Sequence, residues 1–459
     1  VVPIEVDTSE PKKPSDEGKW WAQWRFVMTG MIIVAILAGL TLWVHFGRNT
    51  ETASKEKTAF PLPEYPSIAV LPFANLNGDP KQDYLSDGIT NEIISGLSKV
   101  PRLFVIASNS SFSYKGKPVM VQQAAKDLGV KYILEGSVQT NDGRIRIMAQ
   151  LINGLSGAHL WAERYDRDLT DLFDLQDEIM MKVVESLQVL LTDGERARIY
   201  ARGTKNFEAY TKFLKAREIL RRYNKEDTLL SRKISEEVIA LDPNYPSAYA
   251  ALGENYRVEA RWLKGEAKEQ AQRKAIQLLE KANAMDPSQA SAIGMLGYVY
   301  TEMKQYEKGM AEAEKAVAVN PNDTDAVGTL GVVLTYNGRF KDALKAFEKA
   351  SRLNPLPPMW YHYWTACANL GAGRYEESIS QFMKLEEFRR KKDHTSVQLV
   401  AAYILSGREE EARKEAEDIL NENPKFSLEQ VFMGFPFFTY KDQKYVGFLK
   451  AAALKAGLP

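Results

Sequence analysis

Residues 330–355, LGVVLTYNGRFKDALKAFEKASRLNP, read as two amphipathic helices of one packed pair, closed by a proline. The small residues Gly331, Gly338, Ala343 and Ala350 let paired helices approach, Leu330 and Phe347 fill the seam, and Pro355 cannot continue a helix. One unit upstream the pattern returns as Leu296, Gly297, Tyr300, Ala313, Ala316 and Pro321. Working outward, Pro243, Pro287, Pro321 and Pro355 are separated by 44, 34 and 34 residues. The first interval is one unit plus ten extra residues, expected between its helices near Trp262 and Gly265. Gly373 and Gly407 carry the period on, Ala412, Ala416 and Pro424 close the last unit, and residues 206–243 read as a divergent first unit around Ala209, Tyr210, Leu214 and Ala216. The span 205–445 therefore holds about six helix pairs, above the roughly three needed to bury a shared core. An all-α superhelix with a concave face is predicted.

Residues 66–192 have a different rhythm. Ser67–Phe73 is a continuous apolar run, read as a strand buried on both faces, and the helix after it has Ile89, Ile93, Ile94 and Leu97 on one face before Pro101 stops it. Leu103–Ala107 is a second buried strand, and Val121–Leu128 a second helix capped by Gly129. Tyr132–Val138 and Arg144–Asn153 flank Asn141-Asp142-Gly143, a hairpin signal, and His159–Tyr165 adds a third antiparallel strand. A closing helix carries Leu172, Leu175, Ile179, Val183 and Leu187. The order βαβαβββα predicts an α/β domain with a mixed sheet. Asn75, Asp79, Asp83 and Ser108 to Ser111 lie on the loops where open α/β sheets bind ligands, but no Gly-rich phosphate loop follows either strand, which favours turn and cap roles.

Near the start, Phe26–Phe46 is an apolar run about 30 Å long as a helix, enough to cross a bilayer. Trp20, Trp21, Trp24 and Trp43 flank it as interfacial anchors, and Ala35 and Gly39 form a small-xxx-small pair on which two such spans, hence a homodimer, would pack. The segments are then a cytoplasmic linker 1–25, a transmembrane helix 26–46, a linker 47–65, the α/β domain 66–192, the repeats 205–445 and a capping helix with tail 446–459. A small excess of basic residues before the span favours an amino terminus inside. Val1 in place of Met, and the linker composition that follows, lead us to expect a further segment upstream.

Composition excludes several classes. With 60 basic and 60 acidic residues the net charge is zero, against a nucleic-acid partner for this portion. Cys367 is the sole cysteine, so no intrachain disulfide, cysteine zinc site or iron-sulfur cluster can form, and four dispersed histidines (His45, His159, His362, His394) give no metal or triad spacing. No catalytic, cofactor-binding or metal residue is expected in this chain.

The 34-residue units resemble tetratricopeptide repeats. The stretches PSIAVLPFANLNGDPKQDYLSDGITNEIISGLSKVPRLFVIASNSSFSYKGK and LGVKYILEGSVQTNDGRIRIMAQLINGLSGAHLWAERYDRDLTDLFDLQDEI resemble the periplasmic α/β module related to the amino-terminal domain of the Tol translocation protein B and to flagellar outer-membrane lipoproteins. In such proteins the module stands between a transmembrane helix and tetratricopeptide repeats, usually behind a cytoplasmic class III adenylate or guanylate cyclase domain, less often behind a DNA-binding winged helix. The resemblance implies a bacterial inner-membrane protein with one span, a cytoplasmic amino terminus and a periplasmic bulk that senses or scaffolds for an upstream cyclase. Two divalent metal ions and ATP or GTP would belong to that upstream domain. The alternatives are the periplasmic part of a transmembrane winged-helix regulator and a non-catalytic envelope adaptor. By the resemblance to tetratricopeptide repeats the concave face, where a protein or peptide partner would bind, includes Glu254, Arg257, Tyr298, Thr301, Asp325 and Thr335. The Lys and Asn pattern that such repeats use for a peptide's terminal carboxylate is missing. Trp360, Tyr361, Tyr363 and Trp364 fall at helical spacing, which favours core over a ligand platform.

Overall fold

The computed structural model describes residues 58–192, 203–222, 224–385, 394–434 and 439–459. The expected span Phe26–Phe46, with Ala35 and Gly39, lies outside them, and no described helix is long and apolar enough to cross a membrane.

The first part is a mixed sheet with helices. Strand β1 (Ser67–Val70) is fully buried and pairs in parallel with β3 (Phe104–Val105) and β4 (Tyr132–Asn141). Strand β4 turns at Asp142 (φ 48°) and Gly143 (φ 78°) into β5 (Arg144–Asn153), which pairs antiparallel with β6 (His159–Asp168). Two successive left-handed residues are what a tight hairpin matching strand twist requires. The sheet order is β3-β1-β4-β5-β6, with a short β2 (Ala74–Asn75) beside β4, a strand where the sequence reading has a loop. Helices α1 (Asp83–Ser98) and α4 (Leu172–Ser186) cover one face. Helix α3 (Val121–Leu128), capped by left-handed Gly129, stands on the other, and the short α2 (Ser108–Phe112) sets Phe112 against the first. Ile145, Ile147, Ala149 and Leu151 of β5 face the first layer, as their alternation dictates.

The second part is helical: α5 (Phe207–Leu220), α6 (Lys225–Leu241), α7 (Pro246–Glu259), α8 (Gly265–Met285), α9 (Ala290–Glu302), α10 (Tyr306–Val319), α11 (Thr324–Tyr336), α12 (Phe340–Leu353), α13 (Met359–Gly371), α14 (Tyr375–Met383), α15 (His394–Leu405) and α16 (Glu409–Glu422). Consecutive helices pair, and each pair stacks on the next. The inserted residues near Trp262 go largely into helix, since α8 has 21 residues against 14 in α10 and α12. Tyr361, Tyr363 and Trp364 are buried core. A short α17 (Leu428–Gly434) and a final α18 (Gln443–Lys455) follow, the latter ending near left-handed Gly457 and packing on α15.

Candidate interaction groove

The α/β part is docked against the repeats. Helix α1 approaches α5 so closely that a Cβ on Gly88 would meet Leu214 Cδ1 at 2.1 Å. Tyr210 of α5 is buried in the sheet's own core, edge-on to Phe173 at 5.2 Å. Loops seal the contact further along: Ala107 N donates to Leu353 O at 2.9 Å, Asn109 Nδ2 to Leu356 O at 2.6 Å and Leu356 N to Ser110 Oγ at 2.7 Å. Ser110 also donates to Asn354, and Asn322 Nδ2 donates to Leu103 O at 3.3 Å. Arg352, near the end of α12, crosses over and donates to Pro61 O and Gly129 O, both at 2.9 Å, while its guanidinium lies 4.4 Å from the Phe104 ring centre.

These bonds settle the loop residues considered as a small-ligand site. Asn75 Nδ2 donates to Asp79 O and Asp83 Oδ1, both at 2.9 Å, and Ser108 bonds Asn91. The loops serve as turn, cap and docking surface.

Beside α1, charged residues of the first, second and fourth helix pairs come together in a cleft. Arg217 and Arg221 of α5, Glu254 of α7, Asp323 and Asp325 at the start of α11, and Asp87 and Glu92 of α1 lie within electrostatic reach of one another. Asp325 keeps water contact, yet the walls of the cleft remove enough solvent to push its carboxyl up. Burial, with the neighbouring charge of Asp325 added, pushes Asp323 up to about 6, against the pull of the Ala326 and Asp325 amides. The unfolded value is near 4, so the protonated carboxyl is the form the fold prefers. The stability it contributes is complete below about pH 4 and is lost as pH rises through about 6. A carboxyl-carbon NMR titration should place the Asp323 midpoint near 6. Asp323→Asn keeps the helix cap and should remove roughly 2 kcal/mol of the fall in stability over that range. A midpoint near 4, or an unchanged fall in the variant, would count against this cleft.

The six residues assigned to the concave face divide. Glu254 and Asp325 line the cleft. Thr301 and Thr335 are fully buried and donate to the carbonyls of Gly297 (2.9 Å) and Gly331 (2.8 Å) on their own helices. Arg257 is 3% exposed, 3.9 Å from the buried Glu302 carboxylate and stacked 5.0 Å from the ring centre of Tyr298, itself 8% exposed. Tyr298 in turn packs against Tyr336. The helical spacing that would have flagged Glu302 as the partner of Arg257 spans two repeats and is visible only once α7 and α9 are stacked.

The carboxyl-terminal half of the groove is also filled. Tyr440 is 1% exposed, with its ring 5.7 Å from that of Tyr336 and 5.0 Å from that of Tyr445. Gln398 Nε2 donates to its hydroxyl at 3.4 Å, and the Cys367 thiol donates to Gln398 Oε1 at 2.9 Å. Burial pushes that thiol up to about 12, so it stays protonated and chemically quiet. A separate recess of about 550 Å³ lies between α4 and the first repeat, lined by Asp174, Asp177, Thr204 and Asp242 among others. Among the described residues no group of three His, Cys, Asp or Glu side chains is arranged to hold a metal ion.

Residues 268–331 match the family model described as "Tetratricopeptide repeat". The chain carries tetratricopeptide repeats. It is 49% identical over 191 residues to a Rhizobium meliloti (strain 1021) protein named "Putative adenylate cyclase 3", covering 42% of this chain and 32% of the relative. The chain therefore spans about a third of the length of the curated relative it matches. Among solved structures, it is similar to Pseudomonas aeruginosa pilF (17% identity, 48% of this chain and 93% of that one, TM-score 0.36). It is also similar to TolB from Acinetobacter baumannii (16% identity, 29% and 31%, TM-score 0.22). Tetratricopeptide repeats generally mediate protein–protein interaction.

Proposed function

We propose that the chain is the anchoring, sensing and scaffolding part of a membrane-bound class III nucleotidyl cyclase of the adenylate type. The repeats take a protein or peptide partner, and the signal passes through the Phe26–Phe46 span to a catalytic domain preceding Val1. The observation that carries this reading is the 49% identity over 191 residues to a relative named as an adenylate cyclase. The sheet-and-repeat order supports it, because the cyclase-linked family that the sequence resembles has the same order. The span would hold the protein in the bacterial inner membrane with the described residues in the periplasm, and Ala35 and Gly39 would let two spans pair. Coupling then requires a partner whose affinity differs between two pairings of the spans.

The expected results are concrete. Protein in vesicles should survive a high-salt wash, and a tag at Pro459 should be trimmed by protease in intact spheroplasts. The natural gene product, including everything upstream of Val1, should form cyclic AMP, whereas residues 1–459 alone should form none. A cytosolic tag, or an upstream region that is basic, helical and without cyclase activity, would replace this reading with the winged-helix alternative.

A further inference from the structure

The segment Thr439–Asp442 sits on the repeats as a peptide ligand would, with a bend at Lys441. Its contacts come from four successive pairs. From α10, Tyr306 donates its hydroxyl to Thr439 O at 3.0 Å, and Glu307 accepts from Lys441 Nζ at 2.7 Å. From α11, Tyr336 O accepts from Lys441 N at 2.8 Å. That carbonyl is the last of its helix, so the segment caps α11 as a ligand's main chain would. From α13 and α15, Cys367 and Gln398 close the pocket around the buried Tyr440 ring. One aromatic side chain is swallowed, one amide is read, and the next side chain makes an exposed ion pair. Exposed ion pairs hold weakly and exchange readily.

We propose that this groove is a peptide-binding site whose resting occupant is the chain's own Thr439–Lys441, and whose external ligand is a segment of a partner protein carrying an aromatic residue followed directly by Lys or Arg. The inference deepens the partner-binding role of the repeats given above by naming the chemistry of the partner. The aromatic residue takes the Tyr440 pocket, the backbone amide after it caps α11, and the basic side chain meets Glu307. The resident segment is tethered by α18 and therefore competes at a high effective concentration. An external segment binds appreciably only when it is itself held close, or when the resident ring is withdrawn.

The test uses a fluorescent peptide of the sequence TYKDQKYVGF, residues 439–448, and fluorescence anisotropy with the whole chain in detergent. Tyr440→Ala protein should bind it at least tenfold more tightly than the wild type, and the peptide with Ala in place of its first Tyr should bind neither. Lys441→Glu, which spares the core, should give an intermediate gain, and it serves should Tyr440→Ala fold poorly by circular dichroism. In the Tyr440→Ala background, Glu307→Lys should lose the peptide, and a peptide with Glu in place of its first Lys should regain it. Equal binding by folded variants and wild type, or indifference to the peptide's first Tyr, overturns the proposal. Neither result touches the membrane topology or cyclic AMP measurements that decide the broader function.

Discussion

Arg352→Ala is expected to split the unfolding of the chain into two transitions, with the sheet-bearing part released first. Arg352 stands on α12 but satisfies carbonyls of the other part: Pro61 and Gly129 at 2.9 Å each, and Leu128 at 3.5 Å. Leu128 and Gly129 end helix α3, where carbonyl oxygens lack helical partners and the dipole favours a cation. The same guanidinium lies over Phe104 at 4.4 Å and Phe60 at 5.2 Å. Burial lowers its pKa, a sign of lost water that the carbonyls must replace. Bonds from a charged donor are worth roughly 1.5–3 kcal/mol each and a stacked cation about 0.5–2 kcal/mol, with strong non-additivity. We therefore expect a loss on the order of 3–4 kcal/mol at the docking surface. Arg352→Lys should restore only part of this, because an ammonium has no planar face to lay on Phe104 and Phe60. Urea unfolding followed by amide exchange reads this directly: protection in β1, β4 and α3 should fall before protection in α9 to α14. A single transition within about 0.5 kcal/mol of the wild type would show that the apolar contact of α1 with α5 holds the two parts without Arg352.

Gly297→Val should cost more than 3 kcal/mol and open the superhelix in its middle, because here two backbones touch. A Cβ on Gly297 would stand 2.7 Å from Gly309 O and 2.9 Å from Ala313 N, and one on Gly309 would stand 2.8 Å from Gly297 O. No side chain can rotate away from such a contact, so α9 and α10 must separate. Each pair in a repeat array is held chiefly by its neighbours, so a parted pair weakens the stack on both sides. Gly294 is the control: its added Cβ would find neighbours at 3.5 Å and beyond, ordinary contact distances. Gly294→Ala should be neutral or stabilising by up to about 1 kcal/mol through helix propensity. Thermal melts of the two variants should diverge, and equal losses at both positions would refute the backbone-contact argument.

Elements whose signal is local were legible from residue order. The Asp142-Gly143 turn, the Gly129 cap, the alternation in β5 and the 34-residue spacing of Pro287, Pro321 and Pro355 each depend on neighbours within a few residues or one unit. The candidate site was legible in part. Glu254 and Asp325 stand among the charges that face α1, whereas Arg257, Tyr298, Thr301 and Thr335 are buried in seams that close only when successive helices pack. Concave periodicity identifies which face of a helix looks inward. It does not tell whether another part of the chain already stands there.

The order of amino acids alone determined the mixed sheet, the helix pairs and their turns, because dihedral preference, capping and apolar period act over short stretches of chain. Only the tertiary structure decided that the groove is occupied from both ends, by α1 near Glu254 and Asp325 and by Tyr440 against Tyr336, Cys367 and Gln398. The physical reason is separation along the chain: Arg352 meets Gly129, and Lys441 meets Glu307, across more than a hundred residues. Such meetings are set by the summed burial and hydrogen bonding of whole surfaces, which no local pattern encodes.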